Sequence, residues 1–177
     1  MAQKPARDWI YLIIISLQLV GMIFLEFTEF YPHSIYASPD APLRFLANVK
    51  DTYLSFSGDP FFGDKFNGAW FRSMFLIEIF VQFPLAIYIV RNLAAKKPTS
   101  GPAEIAGLVY GCLTAMSSIA CVAELLDMGP ELVSEENKTN LVWGTYFPYA
   151  LIPGLMAVDM YTRLLRRVRT DVKPKTQ

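Results

Sequence analysis

The sequence predicts an all-α fold: a bundle of four transmembrane helices with a loop and short helix capping one end. Three observations lead there. Four apolar stretches are each about as long as a bilayer is thick, the charges are unevenly spread and leave long stretches nearly free of them, and the two ends of the bundle carry opposite charge. The chain of 177 residues is 53% hydrophobic and 14% aromatic but only 18% charged, with a mean hydropathy of +0.31. A net charge of zero excludes nucleic-acid binding, which needs a dense basic face. Neither a Gly-rich phosphate loop nor a Cys/His metal spacing is present, so no cofactor and no metal are expected.

A hydrocarbon core of roughly 30 Å takes about 20 apolar residues as helix, and residues 9–31, 70–90, 103–126 and 141–163 each meet that length. The first stretch opens with Trp9 and Tyr11 and closes with Phe30 and Tyr31, aromatic belts for two interfaces. Within 10–25 only Ser16 and Gln18 are strongly polar. A helix facing water would show polar residues every third or fourth position. Its length, and Glu26 and Glu29 where a cleavage site wants small residues, distinguish it from a signal peptide. Residues 32–69 form the one sizeable link. Within it Leu43, Leu46, Ala47, Tyr53, Leu54 and Phe56 fall on one side of a short amphipathic helix ahead of Gly58-Asp59-Pro60, expected as a cap over the bundle mouth, with a helix lying on the membrane surface as the alternative. The link 91–102 is short and broken by Pro98 and Pro102, making the second and third spans antiparallel neighbours. Cys112 and Cys121 are nine residues apart on one helix, too far for a disulfide, and are read as small core residues.

Eleven of the 16 Lys and Arg residues flank the spans on the side of the termini, six of them from Arg163 to Lys175. The other side carries Asp40, Asp51, Asp59, Asp64, Asp127, Glu131, Glu135 and Glu136. Basic flanks mark the cytosolic side, so both termini are expected in the cytosol. Residues 1–170 then make one transmembrane domain and 171–177 a basic cytosolic tail.

Charge in a bilayer costs about 2.5–3.5 kcal/mol per residue at a helix centre on insertion scales, so each case is a candidate site. Glu26 and Glu29 share a face near the end of the first span, and Glu78 and Gln82 share one in the middle of the second. Glu124, Asp127 and Glu29 lie at span ends and read as wetted, and His33 reads as a surface loop residue. Because the first two spans run in opposite directions, Glu26 and Glu78 reach similar depth. Two carboxylates so placed share a proton and carry one negative charge between them. A cationic amine is the natural guest, and aromatic faces would support it.

The run Trp70-Phe-Arg-Ser-Met-Phe-Leu-Ile-Glu78-Ile-Phe-Val-Gln82-Phe-Pro84 resembles the second helix of the EXPERA-domain family, in its sigma-2 receptor (transmembrane protein 97) branch. Phe24-Leu-Glu26 followed by Pro32, Gly58-Asp59-Pro60, and Tyr146-Phe-Pro148-Tyr149-Ala-Leu-Ile-Pro153 resemble that family's first helix, loop and fourth helix. The family includes the sterol Δ8-Δ7 isomerases (emopamil-binding proteins), and its fungal members include the efficient-mitochondria-targeting-associated proteins. The resemblance implies ligand binding by Glu26, where the family has Asp, and by Glu78, Gln82, Ser117, Tyr146 and Tyr149, with Asp59 structural. It implies a pocket opening toward lipid that accepts sterols or cationic amphiphiles, residence in the endoplasmic reticulum, and a homodimer. Pro84 and Pro153 would kink their helices and open room for a guest.

The related isomerases place a His one turn before the first acid, and Met22 stands there in this sequence. Met delivers no proton, so the expectation is a binding protein and not an enzyme, acting in sterol or lipid homeostasis or in membrane-protein handling. A sterol isomerase is the first alternative. A chaperone or adaptor aiding mitochondrial protein targeting from the reticulum surface is the second. Lys173 and Lys175 stand five and three residues from the carboxyl end and resemble a Lys-x-Lys-x-x retrieval signal read in the cytosol. Asn137-Lys-Thr139 fits the glycosylation pattern but abuts the fourth span, so it is expected to stay unmodified.

Overall fold

The computed structural model describes residues 5–63 and 68–171, and these are helical throughout apart from turns and links. Four helical stretches are long and apolar enough to cross a membrane: Ala6–Phe30, Ala69–Ala94, Gly101–Asp127 and Glu135–Thr170. Their bounds lie close to the expected spans but extend at several ends, because helix continues into amphipathic flanks that hydropathy alone does not count. Ile10, Ile13, Leu17 and Val20 form one stripe of the first span, and each is more than half exposed. Such a stripe is stable facing acyl chains, whereas in water each buried CH2 forgone would cost about 0.8 kcal/mol.

Helix α1 (Ala6–Phe24) stops short of the expected end. Leu25 leaves helical geometry at φ −120° and ψ −61°, and residues Glu26–Phe30 wind as a tighter 3-10 turn. The Thr28 hydroxyl donates back to the Leu25 carbonyl at 2.6 Å, which occupies an acceptor the helix end leaves free. Helix α2 (Arg44–Ser57) ends on Gly58 at φ +60°, a left-handed cap that L side chains resist. The Asn137 amide packs against Gly58 where a Cβ would stand.

The second span is α3 (Ala69–Ile77), a π turn over Glu78–Gln82, and α4 (Phe83–Ala94). The third is α5 (Gly101–Asp127), with the Ser100 hydroxyl capping its first turn by accepting from the Ala103 N–H. The fourth is α6 (Glu135–Asn140), a π turn over Leu141–Tyr146, and α7 (Phe147–Asp171). Both wide turns precede a proline. Pro84 and Pro148 cannot bond back to residues 80 and 144, and their rings would strike those carbonyls in a regular helix. Widening the turn relieves both. The sequence also expected a kink at Pro153, which lies inside α7.

Helices α5 and α7 pack along each other most extensively, α1 lies on α4, and α4 on α5. One core, built on Tyr11, Ile15, Ile89, Leu93, Tyr110, Met156 and Met160, fills the half nearer the termini. A second, around Phe61, Cys121, Leu125, Leu141 and Val142, closes the loop end. Cys112, read from sequence as a core residue, is exposed on α5, and both cysteines are free. On α2 the inward residues are Leu46, Ala47, Tyr53 and Leu54, while Leu43 and Phe56 turn out. The expected six-residue face is therefore split.

An ionic clasp joins the ends of the bundle at the termini. Arg163 donates to Asp8 Oδ1 at 2.5 Å and to Asp159 Oδ2 at 2.6 Å, Arg7 pairs with Asp159 at 3.0 Å, and Thr99 donates to Asp8 Oδ2 at 3.0 Å. Beside it Arg167 grips Glu104 through two nitrogens at 2.6 and 2.9 Å. Arg163 and Arg167, counted from sequence among the basic flanks, also make structural ion pairs.

Candidate functional site

A cavity of about 210 Å3 opens in the loop-end half of the bundle. All four spans reach it. The first contributes Gln18, Gly21, Leu25 and Glu26, the second Trp70, Phe71, Met74, Phe75 and Glu78, the third Ser117, Ser118 and Cys121, and the fourth Thr145, Tyr146 and Tyr149. Tyr53 of α2 and Phe62 of the following turn complete its lining, so α2 caps the loop end of the bundle over the cavity.

Two backbone irregularities aim the acids. The 3-10 turn begins at Glu26 and brings its carboxyl back toward Gly21, where an added Cβ would stand 3.9 Å from Glu26 Oε1, in ordinary contact. The π turn begins at Glu78. Wide turns of this kind occur frequently at functional sites. Both carboxyls line the cavity and lie within electrostatic reach of each other. Glu78 Oε1 accepts from the Gln18 amide at 3.5 Å, and Gln18 is held in turn by the Tyr110 hydroxyl, which donates to its Oε1 at 2.5 Å. Glu26 Oε2 is buried and has no partner among the described residues. An orphan buried oxygen beside a cavity is costly unless something supplies a hydrogen bond. It marks where a guest's polar group fits.

Asp59 sits behind the wall. Its Oδ2 accepts from the hydroxyls of Tyr53 at 2.6 Å and Tyr146 at 2.8 Å, and its Oδ1 from the Phe61 N–H at 3.0 Å. Burial pushes this carboxyl above the ordinary aspartate range, and the three donors pull it part of the way back. Burial and the adjacent Asp59 likewise push the Tyr53 phenol well up. Asp59 therefore fixes two phenolic walls, one from the cap and one from the fourth span. Asp59→Ala would strand those donors at about 1–3 kcal/mol for each group left unsatisfied. Its melting temperature in detergent is expected to fall well below that of wild type, with Asp59→Asn falling less because one acceptor survives.

The remaining wall is aromatic. Phe71 stacks on Phe75 at 6.3 Å, and behind them Phe61 stacks on Phe71 at 5.1 Å and meets Tyr146 edge-on at 5.5 Å. Such faces suit both flat hydrocarbon rings and cations.

The structure gathers Glu26, Glu78, Ser117, Tyr146 and Tyr149 around one cavity. Gln82 does not join them. It is buried, and its Oε1 accepts from the Thr114 hydroxyl at 2.7 Å, because the π turn takes it off the face that Glu78 occupies. Met22 is buried in the core, His33 is exposed and stacks on Tyr36, and Glu29 pairs at the surface with Lys50 at 3.2 Å. Lys173 and Lys175 lie outside the described residues. Sequence reasoning missed Gln18, Tyr110, Ser118, Cys121 and Thr145. Only Gln18 carried a signal, as a strongly polar residue inside the first span.

Fold and cavity together define a multi-pass helical membrane protein that encloses a polar, aromatic-walled pocket. The chain belongs to the EXPERA family (EXPanded EBP superfamily), whose match covers residues 45–160. That stretch holds Asp59, Glu78, Ser117, Tyr146 and Tyr149 but begins after Glu26. The chain is also 30% identical over 124 residues to the efficient mitochondria targeting-associated protein 19 of Schizosaccharomyces pombe. The match covers 70% of this chain and 61% of that relative's length.

Proposed function

We propose that this protein is an endoplasmic-reticulum membrane protein that binds a sterol or cationic amphiphile in its intramembrane cavity and acts in lipid homeostasis or membrane-protein handling. The observation that carries this reading is the Glu26–Glu78 pair, one oxygen of it orphaned, facing an aromatic wall. A shared proton leaves one negative charge in a low-dielectric site, and a protonated amine neutralises it while its rings lie on Phe71 and Phe75. At about 210 Å3 the cavity takes the amine-bearing part of an amphiphile, and a long apolar body continues outward between the helices. The basic flanks of the spans support a topology with both ends in the cytosol. Met22 in place of a His supports binding without isomerisation.

Radioligand binding of a cationic amphiphile to purified wild type, Glu26→Gln and Glu78→Gln tests it. Loss of a charge-assisted hydrogen bond worth about 1.5–3 kcal/mol predicts affinity lower by roughly ten- to a hundredfold. Unchanged affinity in both variants overturns the acid-pair site. The name of the fission-yeast relative favours a second reading, an adaptor aiding mitochondrial protein targeting from the reticulum surface. Protein partners retained by the Glu26→Gln/Glu78→Gln double variant would support that reading with the cavity incidental.

A further inference from the structure

Helix α2 presents two different faces. Leu46, Lys50, Tyr53 and Ser57 turn toward the bundle, with Tyr53 reaching the cavity and Lys50 reaching Glu29. About a quarter turn around the axis, Phe45, Val49, Thr52 and Phe56 are all exposed, and Phe56 is 87% so. Their spacing of four, three and four residues is one straight stripe on a helix. Asn48, Asp51 and Ser55 form a separate exposed polar stripe on the far side of it. A cap that merely closed a bundle in water would have no reason to hold two phenylalanines and a valine outward.

The stripe is continuous with the lipid-facing surface. Ile10, Ile13, Leu17, Val20 and Phe24 ascend α1 at the same helical spacing, all exposed, and the ring of Phe24 meets that of Phe45 at 6.0 Å. The apolar seam of the first span thus passes onto α2 at Phe45. Because Phe45 and Phe56 lie at nearly the same azimuth, both ends of the helix offer apolar groups in one direction. We propose that α2 is an interfacial helix, its Phe45–Val49–Thr52–Phe56 stripe seated in acyl chains at the boundary of the leaflet on the loop side. Phenylalanine and valine supply the buried area that holds such a helix, and the Asn48–Asp51–Ser55 stripe stays in the headgroup water. The same helix places Tyr53 over the cavity and, through Asp59, against Tyr146. The depth at which α2 sits therefore sets the position of one cavity wall.

The test uses the full chain in lipid nanodiscs, with Cys112→Ala and Cys121→Ala and one spin label at a time on cysteines placed along α2. Collision with oxygen, which partitions into lipid, is compared with collision with a water-soluble nickel chelate. Oxygen is expected to dominate at Phe45→Cys, Val49→Cys, Thr52→Cys and Phe56→Cys, and the ratio to reverse at Asn48→Cys, Asp51→Cys and Ser55→Cys. Nickel access along the first set equal to that along the second overturns the proposal, because the stripe then faces water. Exclusion of both reagents, with dipolar broadening that fades on dilution by unlabelled protein, also overturns it, because a second copy then covers the stripe. Only variants that melt with the cysteine-free parent are scored, and the four stripe positions report independently. Neither outcome depends on ligand binding, so failure here and failure of the acid-pair site are separable.

Discussion

Arg163→Met is expected to destabilise the protein by about 3–5 kcal/mol, the cost of leaving a buried ion-pair partner uncompensated. Arg163 is the only cation in contact with Asp8 among the described residues, and the Asp8 side chain is 1% exposed. Without the guanidinium, Asp8 keeps the Thr99 hydroxyl alone, whereas Asp159 retains Arg7. The loss falls on a joint between the start of α1 and the middle of α7, residues 155 apart in sequence, so the first span should loosen from the fourth. Arg163→Lys keeps the charge, but one guanidinium nitrogen, Nη2, meets both Asp8 and Asp159, and the shorter, differently hydrated ammonium has to reach the same point, so it should fall between. Adding Asp8→Asn to Arg163→Met should recover part of the loss, since it removes the stranded charge. Thermal unfolding in detergent, followed by the fraction remaining monodisperse, reads all three. An Arg163→Met protein that melts with wild type would show the clasp to be dispensable.

Gly111→Val is expected to be the most damaging change in the apolar part of the bundle. A Cβ at Gly111 would stand 2.5 Å from the Pro153 carbonyl oxygen and 3.1 Å from the Ala157 Cβ and backbone nitrogen. A backbone carbonyl has no rotamer in which to step aside, so α5 and α7 must separate along their whole seam. Overpacking of this kind costs about 1–3 kcal/mol for an added methyl group and more for a branched side chain. Gly107 one turn earlier also lies close, its Cβ position 3.1 Å from Met160 Cγ. Ala103, Gly107, Gly111 and Ala115 form a stripe of small residues at intervals of four, the pattern by which membrane helices approach closely. Gly154→Ala is the control. Its Cβ would meet Ala115 at 3.6 Å, ordinary contact, and it should melt with wild type while Gly111→Ala falls measurably and Gly111→Val further.

The sequence also carried that stripe, but hydropathy alone does not distinguish a helix face that meets lipid from one that meets a neighbouring backbone. The same ambiguity explains other departures. Gln82 stands four residues after Glu78, which on a regular helix is one face, and only the π turn ahead of Pro84 sends it to Thr114 instead. Phe56 fitted an amphipathic pattern with Tyr53, yet α2 has two apolar faces and the pattern does not say which one packs. Gln18 and Tyr110 became part of the site only through contacts across 60 and 92 residues. Asp8 carried no signal in the sequence, because burial of a charge near a span end depends on what the other helices bring to it.

What the sequence determined by itself are the four spans, the capping helix and the two acids at matching depth. Each follows from a cost that is local to the chain: apolar length against bilayer thickness, and the penalty for charge inside it. What only the tertiary structure decided is which groups complete those acids and which oxygen is left without a partner. Hydrogen bonds and ion pairs depend on ångström distances between helices. Those distances are set by where glycine permits close approach and where proline widens a turn, and by the sum of packing over the whole bundle.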